Sequence, residues 1–264
     1  MKLAWLTDIH LDFLKLDAVE AFADVVAARG ADAVVISGDI SDGRMLTMHL
    51  DALARRIPGR VYFVLGNHDF YHASISRIAD EVRGLCARQP NLCWLRDAGV
   101  VQLTEEVALV GHDGWYDGRH GAYWKTNVGL NDFVLIDELR GKHGKDRLRL
   151  MQNLADEGAA HLEAVLPQAM AEHARVVVVT HVPPFPACAT YQGRPSDENW
   201  LPFFSCRSIG DALRRAAASR TDRDVLVLCG HSHGGADVAI LPNLRVRTGE
   251  ADYGRPIVQD VFEP

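Results

Sequence analysis

Residues 33–42 read Ala33-Val34-Val35-Ile36-Ser37-Gly38-Asp39-Ile40-Ser41-Asp42. A run of about five Val- and Ile-rich residues suits a buried strand better than a helix. Gly38 ends the run and lets the backbone turn sharply. Two acids three positions apart follow at once, so this strand ends in residues able to do chemistry.

The same arrangement recurs on both sides. Short apolar runs lie at Leu3–Thr7, Val61–Leu65, Val107–Val110, Val176–Thr180 and Val225–Cys229. Helical spacing fills the gaps at Asp17–Arg29, Leu46–Ile57, Ile75–Arg88 and Ser208–Ser219, and a long helix or helix pair, broken near Pro167, is expected over Leu148–Ala174. The early order of strand, helix, strand, helix predicts an α/β fold. Ala236–Phe262 switches to short alternating runs with turns at Pro242-Asn243 and Gly254, which reads as antiparallel strands. No linker or repeat interrupts residues 1–264, so one domain is expected. Two stretches lack any period, 112–144 and 183–206, and long irregular loops in a compact domain are often functional.

Composition narrows the function classes. The 264 residues are 48% hydrophobic and 24% charged, with a formal net charge of −7. That balance is ordinary for a globular chain. It argues against a nucleic-acid partner, whose backbone calls for a basic face, without excluding one. The five cysteines form no C-x-x-C pair, and neither a secretory segment nor a membrane-spanning apolar run is apparent. A cytoplasmic protein with free thiols is the expectation. Oligomeric state leaves no mark in the sequence.

What stands at the strand ends carries the chemistry. The endings are Asp8-Ile9-His10, Gly38-Asp39-Ile40-Ser41-Asp42, Gly66-Asn67-His68-Asp69, Thr180-His181 and Gly230-His231-Ser232-His233. In an open α/β sheet the carboxyl ends of the strands line the ligand crevice, so residues far apart in sequence would converge. Imidazole, carboxylate and side-chain amide oxygen together suit divalent cations such as Mn, Fe or Zn.

D-x-H, G-D-x-x-D, G-N-H-D, a lone His after a strand, and G-H-x-H in this order resemble the calcineurin-like metallophosphoesterases. The resemblance spans residues 8 to 233. It implies a two-sheet β-sandwich flanked by helices, a four-layer α/β/β/α fold. It implies two divalent metal ions, with manganese expected to support activity in vitro. By motif position, Asp8, His10, Asp39 and His233 would hold one ion and Asp39, Asn67, His181 and His231 the other, with Asp39 as the bridge. His68 would face the leaving group as the acid, oriented by Asp42, and a hydroxide shared by the metals would be the nucleophile.

Other residues read more plainly. Asp69 suits a turn-stabilising role. Arg44 sits one position off the Arg of the G-D-x-x-D-R-G protein phosphatases, which argues against that type. His112 fits either a substrate contact or a structural role. The aromatic group Trp115, Tyr116, His120, Tyr123 and Trp124 fits either a stacking platform or a satellite core. The expected function is hydrolysis of small phosphomono- or phosphodiesters, nucleotides among them. A nuclease-type phosphodiesterase and a non-catalytic metal-binding scaffold are the alternatives, and substrate choice should lie in 112–144 and 183–206.

Overall fold

The computed structural model describes all 264 residues. The strands are β1 (Leu3–Leu6), β2 (Ala33–Ser37), β3 (Arg60–Val64), β4 (Leu92–Trp94), β5 (Val101–Gln102), β6 (Val107–Gly111), β7 (Arg175–Val179), β8 (Thr190–Tyr191), β9 (Arg194–Pro195), β10 (Asp224–Cys229), β11 (Ala236–Leu241), β12 (Leu244–Thr248) and β13 (Asp260–Phe262). The helices are α1 (Leu16–Ala27), α2 (Leu46–Arg56), α3 (Ile75–Arg88), α4 (Leu95–Ala98), α5 (Asp132–Leu135), α6 (Gly144–Glu172), α7 (Leu201–Phe204) and α8 (Arg207–Ser219).

Two mixed sheets stack face to face. The first has the order β13-β1-β2-β3-β4 and the second β11-β12-β10-β7-β6-β5. The β1–β4 pairings are parallel, and β13 closes that sheet antiparallel to β1. In the second sheet β6, β7, β10 and β12 run parallel, with antiparallel edges at β5 and β11.

Alternation along each strand explains the layering. Leu3, Trp5, Val35 and Val64 face Leu109, Val177, Val179 and Leu228 in the space between the sheets. Their neighbours Ala4, Leu6, Val34, Ile36 and Phe63 point the other way, into the core beneath the helices. Strands buried on both faces read as unbroken apolar runs rather than alternating ones. Helices α1, α2 and α3 pack in succession beside the first sheet, while α6 lies on β6 and β7 with α8 against it. The result is the four-layer α/β/β/α arrangement.

Three details depart from the sequence reading. Helix α6 runs unbroken through Pro167. Pro167 lies on its exposed face, where water can take the carbonyl left without an amide partner. Of the expected antiparallel C-terminal strands, β12 is antiparallel to β11 but parallel to β10, and β13 crosses to the other sheet. The segment 183–206 is not wholly irregular: β8 and β9 form a small hairpin and α7 follows. No helix is long and apolar enough to cross a membrane.

Candidate metal centre

Strands β1, β2, β3, β7 and β10 all deliver their carboxyl ends to one rim of the sandwich. There the chain bends hard. Asp8, His10, Asp39, His231 and His233 all adopt positive φ, between 40° and 68°. Each such residue costs about 1–3 kcal/mol of backbone strain, which persists only where surrounding structure compels it. Clustered strain of this kind points to a site. Close approach also requires glycine at two of the bends. A Cβ on Gly66 would overlap the Asp39 carboxylate, and one on Gly230 would overlap that of Asp8.

The seven metal-ligand candidates meet at this rim in two groups sharing Asp39. One group is Asp8, His10, Asp39 and His233; the other contains Asp39, His181 and His231. Asn67 joins the second, its Oδ1 lying 3.1 Å from His181 Nε2 and 2.9 Å from His231 Nδ1. Asp39 faces both, with Oδ1 3.3 Å from His181 Nε2 and Oδ2 3.9 Å from His10 Nε2. In the first group His233 Nε2 lies 3.1 Å from His10 Nε2 and 3.4 Å from Asp8 Oδ1. All but His233 are buried.

Hydrogen-bond partners outside the site decide which atoms face inward. His181 Nδ1 meets the Ser37 carbonyl at 2.9 Å, and His231 Nε2 meets the Phe203 carbonyl at 2.8 Å. A carbonyl only accepts, so both nitrogens donate and the neutral rings turn their lone pairs inward. Asn67 Nδ2 donates to Asp132 Oδ1 at 3.0 Å, which turns Oδ1 inward as well. Two lone-pair nitrogens 3.2 Å apart, an amide oxygen and a carboxylate oxygen thus face one another. Such an array repels itself unless a cation or protons lie within it, so the donor set fits a divalent metal.

The electrostatics describe the same strain. Burial alone would depress His181, but the charge and hydrogen bond of Asp39, with Asp8 behind them, hold it up at about 10. Burial would raise Asp8, yet the His233 hydrogen bond and the His181 charge bring it down to about 2. Burial and the neighbouring positive His181 push His231 down to about 4. Without metal, protons on His181 and His233 partly offset the buried carboxylates.

His68 lies beside these groups rather than within them. Its amide donates to Asp39 Oδ1 at 2.9 Å, and its Nε2 is 4.0 Å from Asp39 Oδ2. The half-buried ring stacks on Tyr71, centroids 4.2 Å apart. The expected orienting partner is elsewhere. Asp42 Oδ1 accepts from the amides of Arg44 and Met45, and Oδ2 pairs with the Arg44 guanidinium. That local turn into α2 uses the carboxylate, and no Asp42–His68 hydrogen bond forms.

Asp69 accepts from the amides of Ile40, Ser41 and Gly66, pinning the β2 and β3 loops together. His112 is buried beside His161, ring centroids 5.2 Å apart, with Nδ1 accepting from Gly114, so it touches no substrate space. Trp115 and Tyr116 are buried core, whereas Trp124 is exposed.

Three residues carried no signal in the sequence. Asp132 is buried and accepts from Asn67, Tyr71 Oη and Tyr116 Oη, the last two at 2.6 Å. Tyr253 packs its ring, tilted, 4.6 Å from His10 and, edge-on, 5.1 Å from His233. Phe13 backs it at 4.7 Å. The open cleft beside the ligands has a volume of about 290 Å³. Gly129–Asp132, Tyr191 and Phe204 line it, so both aperiodic segments reach the site.

A family model described as calcineurin-like phosphoesterase matches residues 1–235. Among solved structures, a phosphopantetheinyl hydrolase from Mycobacterium tuberculosis aligns with a TM-score of 0.70 at 18% identity, covering 98% of this chain and 96% of that one. A dimetal phosphatase from Danio rerio aligns at 0.57 with 16% identity, covering 95% and 87%. The anchor GAP50 of the Plasmodium inner membrane complex aligns at 0.52 with 15% identity, covering 95% and 71%. At these identities the likeness shows a shared fold. No curated protein matches the chain.

Proposed function

The chain belongs to the calcineurin-like phosphoesterase family and is a metal-dependent phosphoesterase, and on that premise we propose that it hydrolyses small phosphomono- or phosphodiesters at a two-metal centre with His68 as the acid. The whole chain, 1–264, is read as one domain built around this centre. The observation that carries the proposal is the inward-facing donor set, with Asp39 common to both halves.

In this reading Asp8, His10, Asp39 and His233 hold one divalent cation, and Asp39, Asn67, His181 and His231 the other. The cations supply Lewis acidity, lowering the pKa of water toward neutrality and neutralising charge on the phosphoryl oxygens. The chain's own residues do the rest. Asn67 is held in its orientation by Asp132. His68, braced by the Tyr71 face, keeps a proton beside the leaving oxygen; such a group contributes about 10²–10⁴-fold. Tyr253 and Phe13 close one side of the site against water.

Manganese, iron and zinc all suit these donors. The scaffold alternative has a fold counterpart in the Plasmodium anchor. A complete donor set argues against it here, because an interaction scaffold has no need of one. Five free cysteines are consistent with a cytoplasmic setting. The test is hydrolysis of p-nitrophenyl phosphate and bis-p-nitrophenyl phosphate with Mn²⁺ and with chelator. Chelator-sensitive turnover of either supports the proposal, and the preferred ester separates phosphatase from diesterase. A phosphopantetheinyl ester belongs on the same panel, given the named activity of the first structural relative. No turnover of any ester by protein with bound metal would overturn it.

A further inference from the structure

The phosphate of any ester would sit against the metal-ligand candidates, so its organic group must leave the 290 Å³ cleft by an open side. The His10 and His233 side is roofed by Tyr253 and Phe13. Elsewhere the cleft shares Tyr191 and Phe204 with a second hollow of about 660 Å³, lined further by residues 192 and 194–197 and by Trp200.

The shared wall is aromatic and stepped. Phe204 stands edge-on to His231 with ring centroids 5.3 Å apart. Trp200 follows at 5.1 Å from Phe204, inclined by 30°. Tyr191 and Trp200 are 53% and 41% exposed. Single exposed aromatics are ordinary, but these converge on one hollow that opens into the site. Arg194 is the sole cation of that hollow, whose lining also includes the acid Asp197.

The shelf is also fixed relative to the ligands. Thr190 bridges Gly234, next to His233, and its Oγ1 donates to the Gly235 carbonyl at 3.2 Å. A side chain at Gly234 would overlap the Thr190 carbonyl, so the hairpin and the His231–His233 loop are locked in contact. Trp200 is held by its amide, which donates to Asp197 Oδ1 at 3.2 Å.

We propose that Tyr191, Trp200 and Phe204 form a subsite that stacks a flat heteroaromatic group, a nucleobase, with the Arg194 guanidinium open to an acceptor on that group, and that nucleoside phosphates are therefore the substrate class. The inference rests on the phosphoesterase reading above and adds to it where the organic part binds. Stacking suits such a wall because every base has a π-face, and it needs no deep pocket.

The test compares non-hydrolysable phosphonate analogues that differ only in the base, those of adenosine 5′-monophosphate and ribose 5-phosphate, by calorimetric titration of Mn²⁺-loaded protein. No turnover is needed for this readout. The nucleotide analogue should bind about tenfold more tightly, and Trp200→Ala should remove that advantage while leaving binding of the ribose analogue unchanged. Tyr191→Ala should act in the same direction, so a misfolded variant at one position does not decide the outcome. Equal binding of the two ligands, no binding of either, or an equal loss for both in Trp200→Ala overturns the subsite. Turnover of the chromogenic esters by metal-loaded protein judges the phosphoesterase reading separately, so either can fail alone.

Discussion

Asn67 Nδ2 donates to Asp132 Oδ1 at 3.0 Å, and this bond determines which edge of the amide looks into the site. Both Asp132 oxygens are occupied: Oδ1 also accepts from Tyr71 and Oδ2 from Tyr116. Tyr71 in turn supports the His68 ring. One buried carboxylate thus braces a ligand candidate and the proposed acid together. Partners of this kind typically change metal affinity by about 10–100-fold when removed. Asp132→Asn should weaken binding of the Mn²⁺ ion assigned to Asn67 by about that factor, read by metal titration, and excess metal should restore part of the turnover.

His68→Ala should retain both metals and lose turnover by about 10²–10⁴-fold on an ester with a poor leaving group. The loss should be smaller on p-nitrophenyl esters, whose leaving group needs little help from an acid. Equal losses on both would remove His68 from the role of proton donor.

Gly66 makes no hydrogen bond to the ligand candidates through a side chain, yet a Cβ there would overlap the Asp39 carboxylate and crowd His181. Gly66→Ala should therefore abolish metal uptake while every ligand candidate is still present. Elemental analysis of the folded variant, checked by circular dichroism, reads this directly. Full metal content in that variant would show that the β3 loop relaxes more than its packing suggests.

The pH dependence can be followed at a group away from the metals. Burial, with the charges of Arg96 and His161 adding to it, pushes His112 down to about 3 from the usual 6.5. Between these values the unfolded chain binds a proton that the folded chain does not. Stability at this position is thus complete above about pH 6.5 and lost as pH falls toward 3. The melting temperature should decline across that range. In His112→Gln, less stable at neutral pH, the slope should be shallower by about one proton.

The fold was legible at the strand ends because a buried strand must be apolar throughout and must stop where chemistry begins. Val34–Ser37 followed by Gly38-Asp39 announces both. The family was legible for the same reason, since its motifs are short and lie at these ends. Residues supplied by irregular backbone were not. Asp132 follows a loop with no period, and only its three buried donors reveal its place. Tyr253 lies beyond the family-model match and reaches His10 only through the crossing of the chain end to the first sheet. The pairing of Asp42 with Arg44 instead of His68 was hidden because local turn geometry competes with motif position. Pro167 was misleading for a helix reading because its effect depends on which face it occupies.

The binuclear centre itself is tested most directly by titrating Mn²⁺ into exhaustively chelated protein while following bound metal and hydrolysis of bis-p-nitrophenyl phosphate and p-nitrophenyl phosphate together. Two ions should bind per chain, with turnover absent at the start and saturating as the second site fills. Undiminished turnover in metal-free protein, or saturation with a single bound ion, would contradict a two-metal phosphoesterase.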